Sequence, residues 1–302
     1  MSDISLREFY DRYYRPLQIP QASCDCYRQY ETNIGKANAV LGRAAMLSDL
    51  SDDLIARVCG KLLSDGRSPS TANKVRGQLV ALWNFAAKRG LIATWPTLRK
   101  YQEYRREPTA WSKEQLGVLF EQCRRQCGKI GTAPANLWWL TLLSVLWDTG
   151  LRIGAAVKLE WKQIDFERGY ILVKAEQQKD REDAWFRLHE HTLALLKLLR
   201  ADRRDGVVFE WPYCKTYLWL MFGKLLRQAG LPNGRRDKFH KIRRSVASWF
   251  EVAGGNATEL LGHSGREITR LYLDPTICQK PQAADRLFRP GEENGPTPPR
   301  AA

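Results

Sequence analysis

No stretch of this 302-residue chain is both long and apolar enough to cross a bilayer. The longest apolar run, Leu137 to Trp147, covers 11 residues and stops at Asp148, whereas a spanning helix needs about 20. The run reads as a buried helix instead. The opening MSDISLREFYDRYY lacks a basic stretch followed by an apolar one, so no targeting signal is expected and the chain is placed in the cytoplasm. Histidine is scarce, at four residues. The seven cysteines (24, 26, 59, 123, 127, 214 and 278) are odd in number and scattered. Cys24-x-Cys26 and Cys123-x3-Cys127 have no partner pairs at zinc-ligand spacing. His189 and His191 flank Glu190 without a third or fourth ligand, which makes them surface groups. All seven thiols are expected reduced, with no metal site. A P-loop, a carboxylate cluster at metal-binding spacing and internal repeats are also missing. Metal-assisted hydrolysis and nucleotide-driven chemistry therefore have little to stand on, and no cofactor is expected.

What the chain has in excess is positive charge. Lysine and arginine total 48 against 33 aspartate and glutamate, a net +15, with a sequence pI near 9.6. Hydrophobic content of 44% with 27% charged residues is ordinary globular composition, so the imbalance concerns partners rather than folding. A protein this basic most often meets a polyanion, and nucleic acid is the default. The length favours two domains with real cores.

Residues 1–99 read as all-helical. Ser5-x-x-Glu8 is a capping-box signature, with Leu6, Phe9, Tyr10 and Tyr13 at helical spacing after it. A second helix is predicted over 26–41, with Tyr27, Tyr30, Ile34 and Leu41 inward. Ser51 caps a third, whose stripe is Leu54, Ile55, Val58 and Leu62, and Gly66 stops it. Ser70 opens a fourth, with Val75, Leu79, Leu82, Trp83 and Ala86 inside and Gly90 as its stop. Its outward residues include Lys74, Arg76, Lys88 and Arg89, placed to grip phosphates or enter a groove, or simply to be solvated. Residues 100–110 are polar and basic, carry Arg105, Arg106 and Pro108, and read as a linker that also faces DNA.

The second domain, 111–289, opens with another capping box, Ser112-x-x-Gln115. The buried helix over 135–148 follows, then Thr149-Gly150-Leu151-Arg152. Tyr170–Val173 and Ala184–Leu188 are β-rich runs around a polar turn with Lys179 and Arg181, a predicted hairpin. Helices return over 191–199, 217–229 and through 239–275. Trp138, Trp139 and Trp147 belong to the core, and Tyr170, Tyr213 and Tyr217 read as packing residues. The Pro/Gly-rich stretch 290–302 reads as disordered. The fold class is mainly α: an N-terminal helical bundle plus an α+β domain with a small antiparallel sheet.

The C-terminal run holds the chemistry. His240 and Arg243, at i,i+3, project from one helix face. His263 follows Gly262, which ends a short helix. Tyr272 comes nine residues after His263. Each signal is weak alone, but the conjunction suits displacement of an oxygen at a phosphodiester. An arginine fork binds two phosphate oxygens and keeps its charge. A phenol, with its pKa of about 10, needs a base or a cationic setting to attack near neutral pH. The leaving 5′-oxygen needs an acid, which Lys or His supplies.

With these residues in order, the chain resembles a tyrosine recombinase of the phage integrase family. The motifs cover the second domain, and the N-terminal helices with the basic linker resemble that family's core-binding, SAM-like domain. The resemblance implies that Arg152, in TGLR, and Arg243, in H-x-x-R, clamp the scissile phosphate. It implies that Lys179 protonates the leaving 5′-oxygen, Lys179 fitting the count back from Leu188 better than Lys174. His240 would be the general acid/base, His263 a phosphate hydrogen-bond partner and Tyr272 the nucleophile of a 3′-phosphotyrosyl bond. Because such an ester keeps the energy of the phosphodiester, religation needs no ATP. Two positions depart from the family pattern. Ala155 stands where an acid usually follows the first arginine by three residues, and Arg187 replaces the usual proline before Leu188. The alternative function is a DNA-binding or architectural protein that keeps the fold with a weakened site.

The resemblance further implies double-stranded DNA as partner and a homo-oligomer, a tetramer, assembled on it. Residues 274–288, with Ala283, Ala284, Leu287 and Phe288, resemble the element that members dock onto a neighbouring protomer. Deleting residues 276–302 is expected to weaken synapsis while sparing binding to a single duplex. Gel-shift assays that separate the two complexes would refute this if synapsis were unchanged.

Overall fold

Serine caps punctuate the N-terminal part of the computed structural model, which describes residues 3–104, 106–178, 182–201, 203 and 205–279. The chain divides into two units, 1–105 and 106–302. In the first, Ser5 accepts the Glu8 N–H and opens α1 (Leu6–Phe9), which continues through a π-helical turn (Tyr10–Tyr14) into α2 (Arg15–Gln18). Helices α3 (Cys24–Leu41), α4 (Asp52–Ser64) and α5 (Pro69–Lys88) are capped by Ser23, Ser51 and Ser68. Each serine oxygen satisfies one of the N–H groups that a helix start leaves without a partner. The cap of α5 is Ser68 rather than Ser70. Pro69 takes the first helical position, where its missing N–H costs nothing.

The core of this unit packs Phe9, Tyr10, Ile34, Ile55, Leu79 and Trp83 together. On α3 the buried face is Tyr30, Asn33, Ile34 and Ala37, while Tyr27 and Leu41 reach only its margin. After α5 the chain folds back over its own helices. Asp52 accepts the N–H groups of Thr97 and Leu98, and Asn73 exchanges two hydrogen bonds with the Tyr101 backbone. The first residues of the stretch 100–110 are thus fastened to α5.

The second unit begins on a reciprocal capping box. Ser112 Oγ accepts the Gln115 N–H and Gln115 Oε1 accepts the Ser112 N–H, opening α6 (Lys113–Arg124). A two-residue hairpin, β1 (Lys129–Ile130) with β2 (Ala133–Pro134), leads into α7 (Ala135–Thr149). Helix α7 is buried nearly all round, as a helix through the centre of a domain must be. Trp138 and Trp139 are 1% and 2% exposed. The short α8 (Ile153–Ala156) precedes an antiparallel sheet in the order β3 (Ile164–Asp165), β4 (Tyr170–Val173), β5 (Ala184–Arg187). The predicted hairpin is β4–β5, with Tyr170 opposite Arg187 and Val173 opposite Ala184. Strand β3 and the β1–β2 hairpin are too short for any alternation to reveal.

Helices α9 (Glu190–Arg200) and α10 (Lys215–Gln228) flank the same core, and α11 (Phe239–Val252) packs on α7. Two short helices follow, α12 (Ala257–Leu260) and α13 (Arg266–Thr269). Tyr213 and Tyr217 do pack, but at the surface, against the half-buried Trp211.

Gly150 combines a left-handed backbone with a close neighbour. It ends α7 with φ +62°, and a Cβ there would lie 3.1 Å from Leu261 Cδ2. Gly150→Ala is expected to cost about 1–2 kcal/mol for the left-handed backbone alone, plus that contact. Gly230→Ala, at φ +67° with nothing within 4 Å, isolates the backbone part. Urea unfolding followed by tryptophan fluorescence should rank Gly150→Ala as the more damaging, and equal losses would assign no role to the Leu261 contact.

Candidate active site

Three distant parts of the second unit meet at one buried guanidinium. Arg243, on α11 and 4% exposed, donates from Nη1 to the Gly150 carbonyl at 2.5 Å and from Nη2 to the Leu261 carbonyl at 2.8 Å. The first carbonyl ends α7, and the second follows α12. Arg152 lies two residues past Gly150, at the N-cap of α8 in extended backbone. The tight turn at Gly150 thereby brings the TGLR arginine to the end of the helix that carries His240.

Gly262, at φ +61°, closes α12 and turns the chain. His263 follows, half-buried, with Nδ1 3.1 Å from Thr269 Oγ1. Tyr272 lies in a turn after α13 rather than on a helix, its N–H held by the Thr269 carbonyl at 2.8 Å. A small apolar cluster of Ala247, Ala257, Leu261 and Leu273 fastens this turn to α11, with Tyr272 packed against it. The phenol ring sits among the predicted partners. Ring centroids are 4.6 Å apart for His263 and Tyr272, and 5.0 Å for His240 and Tyr272. The Arg243 guanidinium carbon lies 5.8 Å from the Tyr272 ring centre. Arg152, His263 and Tyr272 open onto a cleft of about 770 Å³, rimmed also by Glu182, Asn256 and Ser264.

The electrostatics of the cleft act first on His240. Its ring edge reaches solvent, but the crowded surroundings strip most of its hydration. That desolvation pushes its pKa down to about 4, helped by the charges of Arg244, Arg243 and Arg152 and by His263. The imidazole is therefore neutral at pH 7 and able to accept a proton.

Five of the six predicted catalytic residues, Arg152, His240, Arg243, His263 and Tyr272, converge here. Lys179, with Arg181, lies outside the described residues, as do Arg105 and residues 280–302. Lys74, Lys88, Arg89 and Arg106 are exposed, with Arg89 stacked 4.7 Å over the Phe85 ring. Arg76 does not face outward. Its Nη2 donates to the Leu98 carbonyl, and no hydrogen-bond partner meets its buried Nε among the described residues. The segment folded back after α5 covers it, which helical periodicity alone does not reveal. Ala155, where the family pattern has an acid, is buried at 4% exposure.

Arg244 was not singled out from the sequence. It stands four residues after His240, on the same face of α11. Its Nε and Nη1 are buried with no hydrogen-bond acceptor among the described residues. Burial first, then Arg236, holds its pKa below the usual arginine value, while Tyr272 and Asp237 act the other way. The doubled arginine of HKIRR was the available signal. Arg244→Gln is expected to raise the His240 midpoint, because removing a nearby positive charge lowers the cost of protonating the imidazole. Histidine proton NMR across pH 3 to 7 would check this, and an unchanged or lower midpoint would contradict it.

The Phage integrase family model matches residues 112–277. A tyrosine recombinase XerC of Lactobacillus delbrueckii subsp. bulgaricus is 25% identical over 228 residues, covering 70% of this chain and 75% of that protein. IntQ of Escherichia coli (strain K12), described as defective, is 24% identical over 196 residues, or 59% of this chain; the match spans 46% of its length, less than half of that relative. Among solved structures, a lambda integrase dimer bound to a COC′ core site superposes with a TM-score of 0.72 at 20% identity, covering 93% of this chain and 80% of that one. A lambda integrase tetramer bound to a Holliday junction gives 0.71 at 19%, with the same coverage. These structural likenesses concern the fold, and the family match spans more than half of the sequence: the chain belongs to the phage integrase family.

Proposed function

We propose that the protein is a site-specific DNA recombinase that cuts and rejoins strands through a 3′-phosphotyrosyl intermediate, needing neither metal nor ATP. The observation that carries this reading is the packing of Tyr272 against His240 and His263 beside the buried Arg243. In this reading Arg152 and Arg243 bind the non-bridging oxygens of the scissile phosphate and stabilise the charge that develops on them. Neutral His240 takes the phenol proton as Tyr272 Oη attacks phosphorus. The P–O5′ bond breaks, and Lys179 donates the proton that makes the leaving group a 5′-hydroxyl. His263 hydrogen-bonds the phosphate. Attack by another strand's 5′-hydroxyl reverses the sequence, so the phosphodiester energy is conserved.

His240 also acquires a dependence on substrate. Burial first, and then the surrounding cations, lower its proton affinity. A phosphate arriving between Arg152 and Arg243 offsets those charges and raises the proton affinity of the imidazole as the phenol proton must move. The net +15 of the chain and the exposed Lys74, Lys88, Arg89 and Arg106 support duplex DNA as the partner. The lambda integrase dimer and tetramer on DNA support assembly of several copies on it. Residues 1–99 would act as the core-binding domain and 111–289 as the catalytic domain, joined through 100–110, with the protein working in the cytoplasm where its DNA is.

Ala155 favours a second reading, an architectural DNA-binding protein with a weakened site. A nicked suicide duplex, selected from a random pool on the wild-type protein, separates the two. The recombinase reading expects a covalent protein–DNA adduct that disappears in Tyr272→Phe and forms about 10²–10³-fold more slowly in Arg243→Ala. Duplex binding without any adduct would leave only the architectural reading.

A further inference from the structure

The turn that carries Tyr272 is anchored from an unexpected direction. Asp274, two residues later, is 5% exposed. Its Oδ2 accepts the Ala110 N–H at 2.7 Å, a bond across 164 residues of sequence. Its Oδ1 accepts the Thr276 N–H at 2.9 Å and the Thr276 hydroxyl at 2.7 Å. Its own N–H donates at 2.9 Å to Ser248 Oγ, which lies 3.4 Å from the Tyr272 carbonyl. Burial would push this carboxyl up, but its hydrogen bonds, led by that from Thr276, hold it below the usual aspartate range.

The neighbouring residue is tied to the other half of the site. Trp111, fully buried, donates its N–H to Ser245 Oγ at 2.7 Å. Its carbonyl accepts from Trp249 Nε1 at 3.0 Å, and the Lys241 ammonium sits 3.7 Å from its ring centre. Ser245, Trp249 and Lys241 all belong to α11, the helix of His240 and Arg243. Two adjacent residues, Ala110 and Trp111, therefore grip both the nucleophile turn and the helix that holds the base. They follow residues 106–109, the covalent path that joins the first unit to the second.

We propose that Asp274 is a positioning residue, and that its bond to Ala110 makes the placement of Tyr272 relative to α11 depend on the position of the lead-in segment. A displacement of residues 106–111 then reaches the nucleophile turn and the helix of the base through two separate buried hydrogen bonds. The proposal rests on the recombinase reading for its meaning, because it concerns how well Tyr272 is aimed. Misplacement of a reacting group by an ångström can cost on the order of 10²-fold in rate while leaving binding intact.

The test uses the full chain and the selected suicide duplex, with binding measured by fluorescence anisotropy and the adduct rate measured in single turnover at saturating duplex. Asp274→Ala removes the acceptor, and Ala110→Pro removes the donating N–H while also fixing φ at position 110 and restricting Thr109. Each is expected to slow adduct formation by roughly 10- to 100-fold with binding nearly unchanged. The double variant should be no slower than the worse single one, because both changes break the same bond. Asp274→Asn, which keeps one carbonyl acceptor, should recover much of the rate, and Asp274→Leu, of similar size but without an acceptor, replaces Asp274→Ala in the cycle if the alanine variant fails to fold. Wild-type rates in both single variants, or losses that simply multiply in the double variant, would overturn the coupling. A readout independent of the chemistry is the ¹⁹F resonance of 3-fluorotyrosine placed at position 272 in the DNA-free protein. It should move in Ala110→Pro, and an unmoved resonance overturns the proposal whether or not an adduct forms. Absence of adduct from the wild type alone would instead count against the recombinase reading.

Discussion

One buried guanidinium organises the catalytic unit. Arg243 is 4% exposed and bonded to the carbonyls of Gly150 and Leu261. Those carbonyls end two helices, where the backbone leaves acceptors without helical partners. The cation thus completes the ends of α7 and α12 and carries charge into the site at the same time. Burying a charge is unfavourable unless it is hydrogen-bonded, and here the fold supplies the acceptors from main chain. Main-chain acceptors do not change with side-chain substitution at Gly150 or Leu261, so long as the backbone keeps its path.

Around that cation several positive charges gather on one histidine. Arg152, Arg243 and Arg244 all bear on His240, and desolvation adds to their effect. These interactions disfavour a positive charge on the imidazole. Arg244 has two buried donor atoms that no acceptor meets among the described residues. A site so arranged has little use for a protonated imidazole until an anion arrives.

Much of the fold was legible because helix starts are local events. Ser5, Ser51 and Ser112 each cap a helix through hydrogen bonds three residues long, and such bonds depend on nearby sequence alone. The uniform apolarity of α7 likewise announces its burial. The two-residue strands β1, β2 and β3 were not legible, because pairing rather than periodicity defines them. Arg76 was misread for a related reason. Helical spacing placed it outward, but the chain that returns after α5 supplies the Leu98 carbonyl and encloses it.

The sequence by itself determined which chemical groups are present and their order: two arginines, two histidines and a tyrosine at family spacing. It determined most of the helices around them, since caps and stripes are short-range. Only the tertiary structure decided how those groups face one another. The ring contacts of Tyr272, the depressed pKa of His240 and the role of Arg244 all arise from residues brought close by folding. The bond from Ala110 to Asp274 is the extreme case, joining points 164 residues apart. Neither residue alone signals its partner, because a hydrogen bond between a backbone N–H and a carboxylate leaves no pattern in sequence until the chain has folded.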